Sequence, residues 1–420
     1  MGIPSVTGII AEYNPYHNGH LYQMLEAKKK TGSQYCVVVL SGHFIQRGEG
    51  ALYDTFTRAE MALRCGADAV FEMPAPFSSS SARDFALYGI SLLSALGVPY
   101  VSCGAEDDDE DAINALALIL EEESPTFKNA LKIGLKNGIN YAEARANALA
   151  ADLMSREVPE ETILRMQEIL SKPNNILAVE YARVIREMGS PLRLVAVKRE
   201  GPDHNDGTLN HGFSSATAIR RHLLSGGDIG EVISMIPEPA LEPMKYVYPL
   251  SPDAFTGSVL RRIIDLQHEG RSLADFQDVS AQLSDRITAS ARCAPSWEDF
   301  VSSVRTKQYT HTRVARALMH IFLGITAENV SRYREAGCAS YARLIGFRKD
   351  SSELFSVLKE SSSIPIIAKM ADASDILGHG TAAHDLLLEE AHAAFLWNTV
   401  YYDNRGVALP NLYERRMPVI

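Results

Sequence analysis

The chain has 420 residues, 46% apolar and 22% charged, with 41 basic against 52 acidic side chains and a formal net charge of −11. Such a length allows two or three domains of ordinary globular composition, which excludes a disordered, collagen-like or purely coiled-coil chain and makes a polyanion a poor partner unless basic residues are segregated. Five scattered cysteines (Cys36, Cys65, Cys103, Cys293, Cys338) without a Cys-x-x-Cys pair, a start lacking a basic leader and the absence of a long apolar run predict a cytoplasmic protein with no disulfide framework, zinc knuckle or membrane span.

In chain order, Val6 to Ala11 reads as a first strand and His20 to Lys30 as a helix. Tyr35 to Leu40, Ala69 to Met73 and Tyr100 to Cys103 read as further strands, separated by helical patterns at Thr57 to Cys65 and Arg83 to Leu96. Glu106 to Glu123 holds nine acidic residues and no basic one, and reads as a solvated loop and helix face. A helix at Asn174 to Met188 and a strand at Leu192 to Val197 close the alternation. Beyond Pro249, apolar residues fall at helical spacing (Val259, Leu260, Ile263, Ile264, Leu266) and no strand run is evident. The expected fold is therefore α/β: a Rossmann-like domain with a parallel sheet over residues 1–248, followed by an all-helical C-terminal domain over 249–420. Ligands of such sheets sit beyond the carboxyl ends of the strands.

The loop after the first strand is the most informative. Gly8-Ile9-Ile10-Ala11-Glu12-Tyr13-Asn14-Pro15-Tyr16-His17-Asn18-Gly19-His20 runs from a buried strand through a proline turn into His-x-Gly-His at a helix start. The first helical amides have no intrahelical acceptor and the helix dipole is positive there, which suits an anion. Gly19 keeps the backbone open to a phosphate or an adenine ring, and His17 and His20 can donate to phosphate oxygens. The plainer alternatives are two capping histidines, or a zinc pair in want of a third ligand. A second stretch, Phe213-Ser214-Ser215-Ala216-Thr217-Ala218-Ile219-Arg220-Arg221, precedes Leu223 and Leu224. It reads as another helix start with hydroxyls at the cap and a guanidinium one turn in, which forms a second phosphate cradle or, alone, a serine N-cap.

Together with Ser41-Gly42-x-Phe44-x-Gln46-Arg47-Gly48-Glu49, Gly104-x-Glu106, Pro173-Asn174-Asn175-Ile176-Leu177 and Lys198-Arg199, these segments resemble the tRNA(Met) cytidine acetate ligase family of His-x-Gly-His nucleotidyltransferases. The resemblance is dense over the first half and continues through His311-Thr312-Arg313-x-x-Arg316. It implies that ATP and acetate give acetyl-adenylate and pyrophosphate, and that the acetyl group passes to N4 of the wobble cytidine in the tRNA(Met) anticodon stem-loop. Mg²⁺ would accompany ATP, with no acetyl-CoA and no metal held by protein ligands alone. By the same resemblance the nucleotide site comprises Thr7, Gly8, Ile9, Ile10, Glu12, Tyr13, Asn14, Pro15, His17, Gly19, His20, Gly104, Asn174, Arg199, Ser215, Thr217 and Arg220, with His17, His20 and Arg220 catalytic.

Residues 301–349 hold nine basic and two acidic side chains, interleaved with Tyr309, His311, Phe322, Tyr333, Tyr341 and Phe347. That segregation suits an RNA platform in which Arg313 and Arg316 contact phosphates and the aromatics stack on bases, or else a solvated basic face with aromatics in the core. Two other functions fit parts of the pattern: a small-molecule adenylyltransferase of the same fold, and a non-catalytic, nucleotide-dependent RNA-binding protein. The oligomeric state is left open.

Overall fold

Valine-rich runs too short for helices become the centre of one sheet. In the computed structural model, which describes residues 5–200, 214–292 and 294–420, these are β1 (Val6–Ala11) and β2 (Tyr35–Ser41). Phe213 and Cys293 thus lie outside the described residues. A small hairpin of β3 (Phe44–Ile45) and β4 (Glu49–Gly50) follows, then β5 (Ala69–Met73), β6 (Tyr100–Ala105) and β7 (Arg193–Lys198). The order β7-β6-β1-β2-β5 is parallel throughout and continues into β8 (Ala342–Phe347) and β9 (Ile366–Ile367). β2 and β5 are wholly buried, as strands covered by helices on both faces must be.

The expectation of an all-helical second half is corrected here, because β8 pairs antiparallel with β5 and places a strand from the C-terminal segment on the main sheet. Its sequence, Ala-Arg-Leu-Ile-Gly-Phe, hides this. Arg343 is buried and paired with Glu72 of β5, and Gly346 is needed because an added Cβ would lie 2.7 Å from Leu63 Cδ1. The long helix Ala382–Arg405 also folds back onto the sheet's loops, where Trp397 Nε1 donates to the Ala51 carbonyl at 3.1 Å. Among the described residues no helix is long and apolar enough to cross a membrane, and the four cysteines are buried and unpaired.

The acidic segment is not a simple solvated face. Asp109 caps the helix Glu110–Glu122, Glu110 accepts from the Ala196 amide at 2.9 Å, and Asp107 and Asp109 pair with Arg165. Glu106 Oε1 accepts from Asn174 Nδ2 at 2.6 Å and its Oε2 from the Asn175 amide at 3.0 Å, while Asn175 Oδ1 takes the Glu106 and Asp107 amides in return. This reciprocal clamp fixes the start of the helix Pro173–Glu187 against the end of β6.

Candidate functional site

The strand order reverses between β1 and β6, since β2 and β5 lie to one side of β1 and β6 and β7 to the other. A cleft opens at the carboxyl ends of these strands, where the topology leaves room between diverging loops. Its lining joins Ile10 of β1 and Glu12, Tyr13 and Asn14 after it to Gly104 of β6 and Arg199 after β7. Two helix starts point into it, with His17, Gly19 and His20 from one and Ser215 and Arg220 from the other; Asn174 comes from a third.

The helix Asn18–Thr31 begins in a histidine capping box. His17 Nδ1 accepts from the Gly19 amide at 3.0 Å, and His20 Nδ1 accepts from the His17 amide at 3.3 Å. With both Nδ1 atoms accepting, a neutral ring carries its proton on Nε2, so Nε2 is the nitrogen that can donate to a bound anion. The rings stack at a centroid distance of 3.8 Å. Capping and anion binding are thus compatible in this pair, one nitrogen of each ring serving the cap. Gly19 has a second reason to be glycine: a Cβ there would sit 2.9 Å from His17 Cε1 and displace the ring.

Arg220 ties the two helix starts together. One guanidinium nitrogen donates to the Asn14 carbonyl at 2.7 Å and the other to Thr217 Oγ1 at 3.2 Å. Burial and the nearby Arg47 lower its pKa, while Glu49 and Glu12 oppose them. Two guanidinium groups gathered in one partly desolvated place form a site prepared for negative charge. The loop that carries Glu12 is held from below by Arg58. That fully buried side chain donates to the carbonyls of Tyr53 at 3.0 Å, of Glu12 at 2.6 Å and of Gly42. Tyr13 adopts a positive φ of 47°, a strained conformation for a bulky residue, in the same turn.

A profile described as HIGH nucleotidyl transferase matches residues 4–405. Proteins named tRNA(Met) cytidine acetate ligase are similar over most of their length: that of Acetivibrio thermocellus is 35% identical over 87% of this chain and 88% of its own, and that of Thermosipho melanesiensis 32% identical over 98% and 95%. This chain belongs to the tRNA(Met) cytidine acetate ligase family of HIGH nucleotidyl transferases. The membership makes it an enzyme of the ligase class. The crystal structure of Thermotoga maritima TmcAL in its apo form superposes with a TM-score of 0.90 at 28% identity, covering 99% of each chain. A second form of that protein, bound with alpha-thio ATP, superposes at 0.87 over 99% of this chain and 100% of its own.

Several residues expected at the nucleotide lie outside the cleft lining. Thr7 is buried near the start of β1 and bonds to Thr31 and Ser33 hydroxyls at 2.7 Å; Gly8 packs on Leu93, where a Cβ would meet Cδ1 at 2.6 Å; Ile9 is core. Pro15 and Thr217 are outside the lining, although Thr217 orients Arg220. Conversely, Gln46, Arg47, Gln23, Tyr22, Lys198 and Glu200 line the cleft and were not picked out as site residues. Gln46-Arg47 stands inside a quoted motif, which was the available signal; its amide donates to Glu12 Oε1 at 3.0 Å.

The basic segment 301–349 resolves largely into ion pairs. Arg316 pairs with Asp278 at 3.0 Å, Arg332 with Asp385 at 2.8 Å, Arg334 with Asp84 at 2.7 Å, Arg343 with Glu72, and Arg348 with Asp350 at 2.6 Å. Tyr309, Phe322, Tyr333 and Tyr341 are buried, so the stacking role expected of them is corrected to a core role. Arg313 lies over the Tyr309 ring at 5.4 Å. The helix that carries it touches the cleft loop, since Gly48, at φ 77°, packs where a Cβ would be 2.2 Å from the Arg316 amide nitrogen.

A second titratable cluster lies beneath the loops. His43, Glu72 and Glu390 are buried, with ligand atoms within 4.8 Å of one another. Glu390 Oε2 accepts from the Ala75 amide at 2.6 Å and Glu72 Oε2 from Arg343; Glu390 Oε1 lies 3.5 Å from His43 Nδ1, and Glu72 Oε1 accepts no hydrogen bond within ordinary reach. Burial pushes both carboxyls up to about 7 and pulls His43 down to about 4. The two carboxyls are within hydrogen-bonding reach of each other, and one proton shared between them, with Arg343 beside Glu72, leaves the cluster neutral.

Proposed function

We propose that this enzyme activates acetate with ATP and transfers the acetyl group to N4 of the wobble cytidine of elongator tRNA(Met). The carrying observation is the convergence of His17, His20 and Arg220 from two helix starts on one cleft at the sheet's switch point, in a chain of this family. A carboxylate oxygen of acetate attacks the α-phosphorus of ATP and the bond to the β-phosphate oxygen breaks. Acetyl-adenylate and pyrophosphate result. Charge then grows on the pyrophosphate, where Nε2–H of both histidines and the Arg220 and Arg47 guanidinium groups can donate more strongly than to the ground state. The N4 amine next attacks the acetyl carbonyl, AMP leaves, and the amine gives up one proton. Among the cleft's polar side chains donors outnumber the two carboxylates, Glu12 and Glu200, which suits Mg²⁺ that arrives on the triphosphate rather than on a protein cage. Acetate, not acetyl-CoA, is the acyl source in this reading, and the cytoplasm its place.

The test is acetate-dependent exchange of radiolabelled pyrophosphate into ATP by the purified protein without tRNA, followed by acetate transfer to tRNA(Met). Exchange that ignores acetate refutes the reading.

A further inference from the structure

The helix Pro125–Lys136 carries Lys128, Lys132 and Lys136 and no acidic residue. Four-residue spacing puts the three on one face over about 12 Å, and all three are exposed. They stand apart from their surroundings. The arginines of the helices that follow are neutralised: Arg145 pairs with Glu180, Arg156 with Asp152, Arg165 with Asp109, Arg183 with Glu187 and Arg186 with Glu121. Among the described residues the three lysines have no such carboxylate. A chain of net charge −11 that leaves one row of cations unneutralised presents a local positive face.

That row leads somewhere. The helix ends at Lys136, and Gly138 two residues on lines a groove shared with Arg286, Lys307, Gln308 and Tyr309 of the C-terminal half; Asp285 is the groove's acidic member. Arg286 is fixed there by its bond to the Val304 carbonyl at 2.9 Å, and Arg313 stacks on the Tyr309 ring behind it. The helix His311–Leu323 then packs against Gly48, next to Arg47 in the cleft. The lysine row thus leads through Gly138 to a groove whose C-terminal wall adjoins the helix packed against the cleft loop.

We infer that Lys128, Lys132, Lys136, Arg286 and Lys307 form a phosphate-binding track for the body of the RNA whose reacting base occupies the cleft, an inference that rests on RNA being the acetyl acceptor. Lysines suit this task because their mobile point charges follow a backbone without reading its sequence.

The test compares full-length wild type with the triple variant K128E/K132E/K136E. Transcribed tRNA(Met) binding is measured by fluorescence anisotropy from 50 to 200 mM salt, beside acetate-dependent ATP/pyrophosphate exchange. The expected result is an affinity loss of tenfold or more, a salt slope shallower by about 2 to 3, the scale for three lost phosphate contacts, and exchange within twofold of wild type. Unchanged affinity and slope in the variant, with wild type binding RNA, overturns the track. Wild type that binds no RNA overturns the functional reading instead. If the charge-reversed protein does not fold, the K128Q/K132Q/K136Q variant carries the same comparison with a smaller affinity loss and the same change in slope.

Discussion

Replacing Glu390 by Gln tests whether the buried carboxyl pair holds a proton. In the folded chain both Glu72 and Glu390 are raised by burial to about 7, from 4.5 when exposed, while one proton shared between the two carboxyls already removes the second buried charge. A folded-state pKa above the unfolded one means stability that is complete below about 4.5 and is lost as pH rises through about 7. One proton held across that window is worth about 3 kcal/mol, at about 1.4 kcal/mol for each pH decade. His43 acts in the opposite sense: lowered by burial to about 4, it contributes stability that is present above 6.5 and lost as pH falls through about 4. The two slopes offset each other over much of the acid range, so the wild-type profile alone decides nothing. Arg343 pairs with Glu72, Arg58 faces both carboxyls, and Asp54 lies beyond His43.

E390Q supplies a fixed amide donor toward Glu72 Oε1 while its carbonyl oxygen keeps the Ala75 amide. His43 is common to both proteins, so the difference between them isolates the shared proton. Urea unfolding followed by the fluorescence of Trp397, whose ring centroid lies 5.7 Å from that of His43, should show E390Q gaining about 3 kcal/mol relative to wild type between pH 5 and pH 8. Parallel profiles would refute the shared proton. A fall in wild-type stability on adding EDTA would show that the two carboxyls hold a cation instead.

Three further outcomes follow from the cleft. H17N should keep the helix cap and overall stability yet slow acetate-dependent pyrophosphate exchange about 10²-fold, because asparagine caps well and lacks the Nε2 donor; H17A should add a stability loss of about 1 kcal/mol, read from thermal melts. G19A should reduce exchange through displacement of the His17 ring, 2.9 Å from the new Cβ, while the disturbed cap offsets the helix preference of alanine; equal exchange would show that the ring's position does not matter. R313E should weaken tRNA binding with exchange intact, whereas R316E should lower stability by on the order of 3 kcal/mol and depress both half-reactions, because Arg316 is committed to Asp278.

The sheet was legible because each strand's signal is contained in itself: β1, β2, β5, β6 and β7 are short, apolar and bounded, and the expected limits fall within about two residues of those found. The two helix starts were legible for the same reason, since capping is a property of three or four consecutive residues. β8 was not, because its arginine and glycine make sense only beside Glu72 and Leu63. Thr7, Gly8 and Ile9 lie in the strand that supports the cleft loop, because a motif includes such a strand as well as the loop itself.

Charge was the least legible property. The excess of basic residues in 301–349 is real along the chain and largely cancelled in space, because the partners come from far away: Asp278 is 38 residues from Arg316, Asp385 is 53 from Arg332, Asp84 is 250 from Arg334 and Glu72 is 271 from Arg343. The lysines of the helix Pro125–Lys136 are the converse case. They follow directly on an acidic run that conceals them in any window of sequence, but most of that run's carboxylates cap helices, clamp Asn174 and Asn175 or pair with Lys30 and arginines elsewhere, and none pairs with these lysines. Phosphate binding depends on the charge that remains after internal pairing. By that criterion the place to look for a polyanion moves from the segment where basic residues are densest to the one where they are unpaired.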